Sequence, residues 1–84
     1  MKSSLSHIKN GEFVTVREIL ESSLKVKLIE MGLTLGKRIQ VLYRAPFGGP
    51  IAIDVEGYVL SLRKDEAQMV EVESLNPIQS WRLL

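Results

Sequence analysis

Hydrophobic and polar residues alternate along two stretches of this chain, with six residues of another kind between them. Arg38-Ile39-Gln40-Val41-Leu42-Tyr43-Arg44 alternates except at Leu42, and Ile51-Ala52-Ile53-Asp54-Val55 alternates too. A period of two belongs to a strand with one buried face. Both stretches therefore predict strands, with Ile39, Val41 and Tyr43 on one face and Ile51, Ile53 and Val55 facing inward. The stretch between them is Ala45-Pro46-Phe47-Gly48-Gly49-Pro50. Proline fixes φ and has no amide hydrogen, so a ladder must break at Pro46 and Pro50. Gly48 and Gly49 supply backbone angles that other residues reach only with strain. The stretch predicts a shaped loop with Phe47 near its tip, where the ring either folds back on the core or meets a partner.

The rest of the chain reads in the same way. Residues 1 to 10 are polar with Leu5 and Ile8 scattered among them, a loose lead-in, and Asn10-Gly11 signals a turn. Phe13 to Ile19 is rich in β-formers and predicts the first strand. Leu24, Leu28 and Met31 fall on one face of a helix of about three turns. Ser22 or Ser23 caps its start. Gly32 stands where a left-handed residue ends a helix, with Leu33 packing back on Leu28. Thr34-Leu35-Gly36 predicts a tight turn in which Gly36 takes φ > 0. Lys37 to Arg44 is the second strand and Ile51 to Val55 the third. Glu56-Gly57 is a two-residue hairpin loop leading into a fourth strand, Tyr58 to Leu62. Lys64 to Ala67 makes one helical turn, and Met69 to Glu73 is a fifth strand.

Five short strands with one helix after the first predict a mainly β fold, a small, strongly bent barrel. Its expected core is Val14, Val16, Leu28, Ile39, Val41, Ile53, Leu60, Leu62 and Val70. The tail from Ser74 to Leu84 departs from this pattern. There Ile78, Trp81 and Leu84 recur every third residue. They predict either a short helical turn packed over a barrel opening or an adhesive arm for a partner or a second copy.

Composition narrows the function more than the fold. The chain has 84 residues, 45% hydrophobic and 25% charged, with net charge +1 and no cysteine. That is one domain of ordinary soluble character. Its charge creates no global pull toward nucleic acid or anionic membrane. Disulfides, thiolate metal sites and cysteine nucleophiles are excluded. No run has signal-peptide or membrane-spanning length, which fits a cytoplasmic protein. Charge is unevenly placed, however. Residues 25 to 44 hold five bases and one acid, and residues 54 to 73 hold six acids and two bases. Folded onto separate faces they would make the molecule electrically two-sided; paired across strands they would interleave.

Candidate chemistry is sparse. The single histidine, His7, lies in the lead-in, so no nucleophile has a base beside it and an enzyme is not expected. Asp65 and Glu66 read as a solvated face rather than a carboxylate pair. No cofactor or enclosed metal site is expected; Asp54 and Glu56 could at most form a weak surface site. Gly48-Gly49-Pro50 lacks the lysine of a phosphate loop. Phe47, Tyr43 and Tyr58 with Lys37, Arg38 and Arg44 could serve a nucleic-acid-binding barrel, which is the alternative reading.

Three motifs in order resemble one family. They are Leu28-Ile29-Glu30-Met31-Gly32-Leu33-Thr34-Leu35-Gly36, then Ala45 to Ile51, then Leu62-Arg63 with Ala67 four residues later. They are similar to FeoA proteins, small cytosolic partners of the bacterial ferrous iron transporter FeoB, over about Gly11 to Glu73. The resemblance implies an SH3-like barrel and a non-enzymatic accessory that binds the cytoplasmic part of FeoB, which carries a GTP-binding domain. Leu35 stands where the family often has proline, and the turn should survive that change. The contact surface expected from this resemblance is the loop Pro46, Phe47, Gly48, Gly49 and Pro50 together with Gly32, Leu33 and Gly36. Lys25 and Lys27 would steer an acidic partner.

Overall fold

The computed structural model describes residues 2–75. It holds six strands, two short α-helices and one 3₁₀ turn. In chain order these are β1 (Lys2–Ser4), the 3₁₀ turn (Leu5–His7), β2 (Phe13–Ile19), α1 (Lys25–Glu30), β3 (Arg38–Arg44), β4 (Ile51–Val55), β5 (Tyr58–Leu62), α2 (Lys64–Gln68) and β6 (Val70–Ser74). All pairings are antiparallel, in the order β1-β6-β2-β3-β4-β5. The fold is mainly β, as the alternation predicts, with one strand more than expected; the helical turn expected from Lys64 to Ala67 is α2. The sheet keeps β1 and β5 as its two edges.

The additional strand corrects the reading of residues 1 to 10 as loose. Lys2, Ser3 and Ser4 pair with Glu73, Val72 and Glu71. Leu5 is fully buried and Ile8 nearly so. Arg44 fastens this segment, its guanidinium donating to the Ser6 carbonyl oxygen at 2.5 Å and also to that of Ile8.

Two bulges bend the sheet. One falls in β2 between Val16 and Glu18, the other in β3 between Val41 and Tyr43. A bulge adds a residue to one strand and turns the following side chains to the other face. Tyr43 is therefore 57% exposed, whereas Ile39 and Val41 are fully buried. This corrects the expectation that Tyr43 faces inward; Leu42, where the alternation fails, is the extra residue.

The helix α1 is shorter than predicted. Leu28 is buried on its inner face, with Leu24 and Met31 packed beside it. Ser22 does not sit at the cap itself; its Oγ accepts the Leu24 amide at 3.2 Å. The other end follows the expected geometry. Gly32 has φ of 101°, its amide donates to the Ile29 carbonyl oxygen, and the Leu33 amide reaches back to that of Leu28. That pair of bonds satisfies two carbonyls the helix would leave open. Leu33 is fully buried as a result.

The core lies along one face of the bent sheet and takes in residues of α1, α2 and the 3₁₀ turn. It contains Val14, Val16, Leu28, Ile39, Val41, Ile53, Leu62 and Val70, all expected, and also Leu5, Leu33, Ile51, Val55, Ala67 and Val72. Leu60, expected inside, only packs partly against it. The expectations about Trp81 and the arm from Asn76 to Leu84 lie outside the described residues.

Candidate functional site

The loop between β3 and β4 is built as its prolines and glycines require. The last rung of the ladder is the Ala45 amide donating to the Pro50 carbonyl oxygen at 2.9 Å. Beyond it Pro46, Phe47, Gly48 and Gly49 form a tight turn, closed by the Gly49 amide on the Pro46 carbonyl oxygen at 3.2 Å. Phe47 has φ of 60° and Gly48 of 72°. Positive φ at both central positions marks a type I′ turn, which selects Gly, Asn or Asp. Phenylalanine there is strained, and its ring contributes nothing to the core: Phe47 is 103% exposed. The structure thus places the ring in solvent. Gly48 supplies a left-handed angle, as expected, but Gly49 does not. A Cβ on Gly49 would stand 2.8 Å from that of Ala45, so the need at Gly49 is close approach.

The other expected contact residues lie elsewhere. β4 runs from the Pro50 end to the Glu56-Gly57 turn, and Gly32 and Gly36 belong to that second end. Tyr58, the residue after that turn, donates its hydroxyl to the Met31 carbonyl oxygen at 2.9 Å. A Cβ on Gly32 would lie 1.9 Å from the Tyr58 Oη. Gly36, at φ of 87°, turns the chain into β3 beside Glu56, which accepts the Arg38 amide. The length of β4 therefore separates Gly32 and Gly36 from Phe47, and Leu33 is buried beneath its own turn. One contiguous patch does not hold all these residues.

Lys25 and Lys27 already have partners. Lys25 pairs with Glu21 at 2.5 Å, and Lys27 with Glu66 at 2.6 Å. The second pair corrects the reading of Asp65-Glu66 as a solvated face. The Glu66 side chain is only 5% exposed. The Lys27 ammonium, followed by the Arg63 amide at 2.8 Å, holds its carboxyl below the ordinary carboxylate value. Glu66 thus ties α1 to the start of α2, where a carboxylate also suits the free amides of a helix N-terminus. Lys37 pairs with Glu56 in the same manner, and Arg17 with Glu73. The charges interleave rather than separating onto two faces.

The candidate aromatic platform is dispersed. Tyr58 is engaged with Met31, and the other cations of that reading are occupied: Lys37 by Glu56, Arg38 over the Phe13 ring at 5.3 Å, Arg44 by backbone carbonyls. Among the described residues no group of three or more His, Cys, Asp or Glu side chains could hold a metal ion. No helix among them is long and apolar enough to cross a membrane.

A cleft at the foot of the Phe47 loop was missed in the sequence. Its volume is 640 Å³, and Gly48, Gly49 and Pro50 face Arg63, Lys64 and Gln68 across it. A second recess reaching Arg44 and His7 adjoins it through Gly48, Gly49, Lys64 and Gln68. The hairpin register explains the juxtaposition. Val55 pairs with Tyr58, so Ile51 pairs with Leu62, and the residues after Leu62 must stand beside those before Ile51. The Glu56-Gly57 loop carried that signal.

Comparison with known proteins adds the following. The family model for the FeoA domain matches residues 3–74. A fusion of Fe(2+) transport protein A with the Fe(2+) transporter FeoB, from Porphyromonas gingivalis, is 33% identical over 73 residues, covering 86% of this chain. The chain spans only 9% of that relative's length. The crystal structure of an iron uptake regulatory protein, FeoA, superposes with a TM-score of 0.79 at 40% identity, covering 89% of this chain and 99% of the other. FeoA of Stenotrophomonas maltophilia, an SH3 domain protein crystallised with zinc, superposes at 0.75 with 22% identity, covering 84% and 89%. That last likeness speaks for the fold alone, an SH3-like one.

Proposed function

This chain belongs to the FeoA domain family, and on that basis we propose that it is a non-enzymatic accessory of bacterial ferrous iron uptake. It acts in the cytoplasm by binding the cytoplasmic part of the FeoB transporter, modulating its activity or assembly. The observation that carries this reading is the fusion: in the Porphyromonas gingivalis relative a similar segment is part of one polypeptide with a Fe(2+) transporter. Covalent linkage holds two modules at millimolar effective concentration, an arrangement suited to modules that work on one another.

The contact centres on the β3–β4 loop. Phe47 is fully exposed in a strained turn, and strain retained without benefit to packing accords with a binding role. Pro46 and Pro50 stiffen the loop and so reduce the ordering cost of binding. Gly32 and Gly36 with the exposed Leu35 form a second, separate contact at the opposite end of β4. Lys25 and Lys27, already paired, serve the fold more than the encounter.

The test is calorimetric titration of this chain into detergent-solubilised FeoB, with and without guanine nucleotide. Saturable binding in at least one nucleotide state is expected. Absence of binding in every state would overturn the proposal.

A further inference from the structure

We infer that the cleft at the foot of the Phe47 loop is a docking site for an acidic peptide segment of a protein partner. Part of the molecule's unpaired positive charge lies at this cleft. Lys2, Arg17, Lys25, Lys27 and Lys37 each have a carboxylate partner within the molecule. Among the described residues Lys9, Arg38, Arg44, Arg63 and Lys64 form no ion pair; of these Arg63, which also acts on the Glu66 carboxylate from a distance, and Lys64 line this cleft with exposed side chains. Arg44, one recess away, spends its hydrogen bonds on the carbonyls of Ser6 and Ile8, which neutralise no charge. The one acid in the lining, Asp65, accepts the Glu66 amide at 3.0 Å and offsets one of these cations. The lining thus keeps a positive balance of one, to which Arg44 adds from the adjoining recess.

The form of the cleft points to a carboxylate-bearing peptide. One wall is the backbone of Gly48, Gly49 and Pro50, where the lack of a side chain on Gly48, whose Cβ would stand 3.8 Å from the Lys64 Cδ, lets an extended chain approach closely. The facing wall supplies the Arg63 guanidinium, a fork that matches a carboxylate, and the Gln68 amide. Phe47, the neighbour of Gly48 in the loop and fully exposed, offers an apolar contact for a residue flanking the acids. Two or three cations are too few for anionic bilayers, which recruit clusters of about four to eight. They also fall short of the basic stripe that marks nucleic-acid binders.

This inference rests on the reading of the chain as a FeoB-binding accessory for the identity of the partner, but not for the chemistry of the site. The experiment separates the two. The amide NMR spectrum of the full chain is followed during titration with hexaglutamate at low salt. Saturable shifts at Gly48, Gly49, Lys64 and Gln68 are expected. They should weaken about tenfold in an Arg63→Gln/Lys64→Gln double variant and remain unchanged in Lys37→Gln. No shift at those amides, or shifts indifferent to the double variant, would overturn the inference. So would tighter binding of phosphatidylserine vesicles or of oligothymidylate at equal charge. The double variant is then titrated into FeoB, where about tenfold weaker binding supports the inference. FeoB binding equal to wild type overturns the cleft and leaves the FeoB reading intact. Hexaglutamate binding in a chain that ignores FeoB contradicts that reading while supporting the cleft.

Discussion

Replacing Phe47 by glycine should leave the fold as stable as before, or more so, while damaging its interaction. The ring is fully exposed and buries nothing, so its removal carries no transfer cost. The residue sits at φ of 60°. An L-residue there costs roughly 1–2 kcal/mol, relief that glycine supplies. Against this, glycine gains freedom in the unfolded chain, worth about 0.5–1 kcal/mol. The difference runs from about zero to about 1.5 kcal/mol of stabilisation. For a domain of this size that is an unchanged Tm or a rise of up to about 12 °C. Phe47→Ala keeps the strain and loses the ring, so it should stay within about 0.5 kcal/mol of wild type. Scanning calorimetry of the three proteins reads these values directly. A fall in Tm of more than about 5 °C for Phe47→Gly would mean the ring supports the fold, and the argument from exposure would be wrong.

Other perturbations test the frame that carries the loop. Gly32→Ala forces a Cβ to within 1.9 Å of the Tyr58 Oη at a positive φ, and urea denaturation should show a loss of about 2–3 kcal/mol. Part of that loss should vanish in a Tyr58→Phe background, and a purely additive result would exclude the clash. Leu5→Ala should cost about 2–4 kcal/mol, as for any fully buried leucine, whereas a loose lead-in would cost nothing. Stability should also fall in acid. The carboxyls of Glu66, Glu56 and Glu73 are held below their ordinary value of 4.5 by Lys27, by the Arg38 amide with Lys37, and by Arg17. Folded values below unfolded ones make the native state the weaker proton binder. Their contribution is therefore complete above about pH 5 and lost as pH falls through 4.5 and below. In Glu66→Gln the urea midpoint should be lower at pH 7 and decline less steeply in acid.

The legible parts of the fold were those set by local chemistry. The hairpin at Glu56-Gly57, the glycine stop after α1 and the break of the ladder at Pro46 and Pro50 each follow from residues within a few positions of one another. β1 was hidden because three residues are too few to display a period and its partner, β6, lies at the far end of the described chain. The inward placement of Tyr43 failed because alternation was extended through Leu42, the position where it visibly breaks. Glu66 was misread because its partner Lys27 is 39 residues away in sequence. The loop was identified and its tip located, but the exposure of Phe47 depends on packing that no local pattern states. The cleft beside it was implicit in the hairpin register, which brings Arg63 and Lys64 to Gly49 and Pro50 once Val55 is set opposite Tyr58.

Contact between the β3–β4 loop and the transporter is central to the proposed function. The most direct measurement is the amide NMR spectrum of this chain during titration with the isolated cytoplasmic part of FeoB. Shifts and broadening are predicted at residues 47 to 49 and 63 to 64, with a second set at residues 32 to 36 and with β1 and β6 undisturbed. Perturbation confined to α1 and the turn at Leu35, with a silent loop, would contradict it.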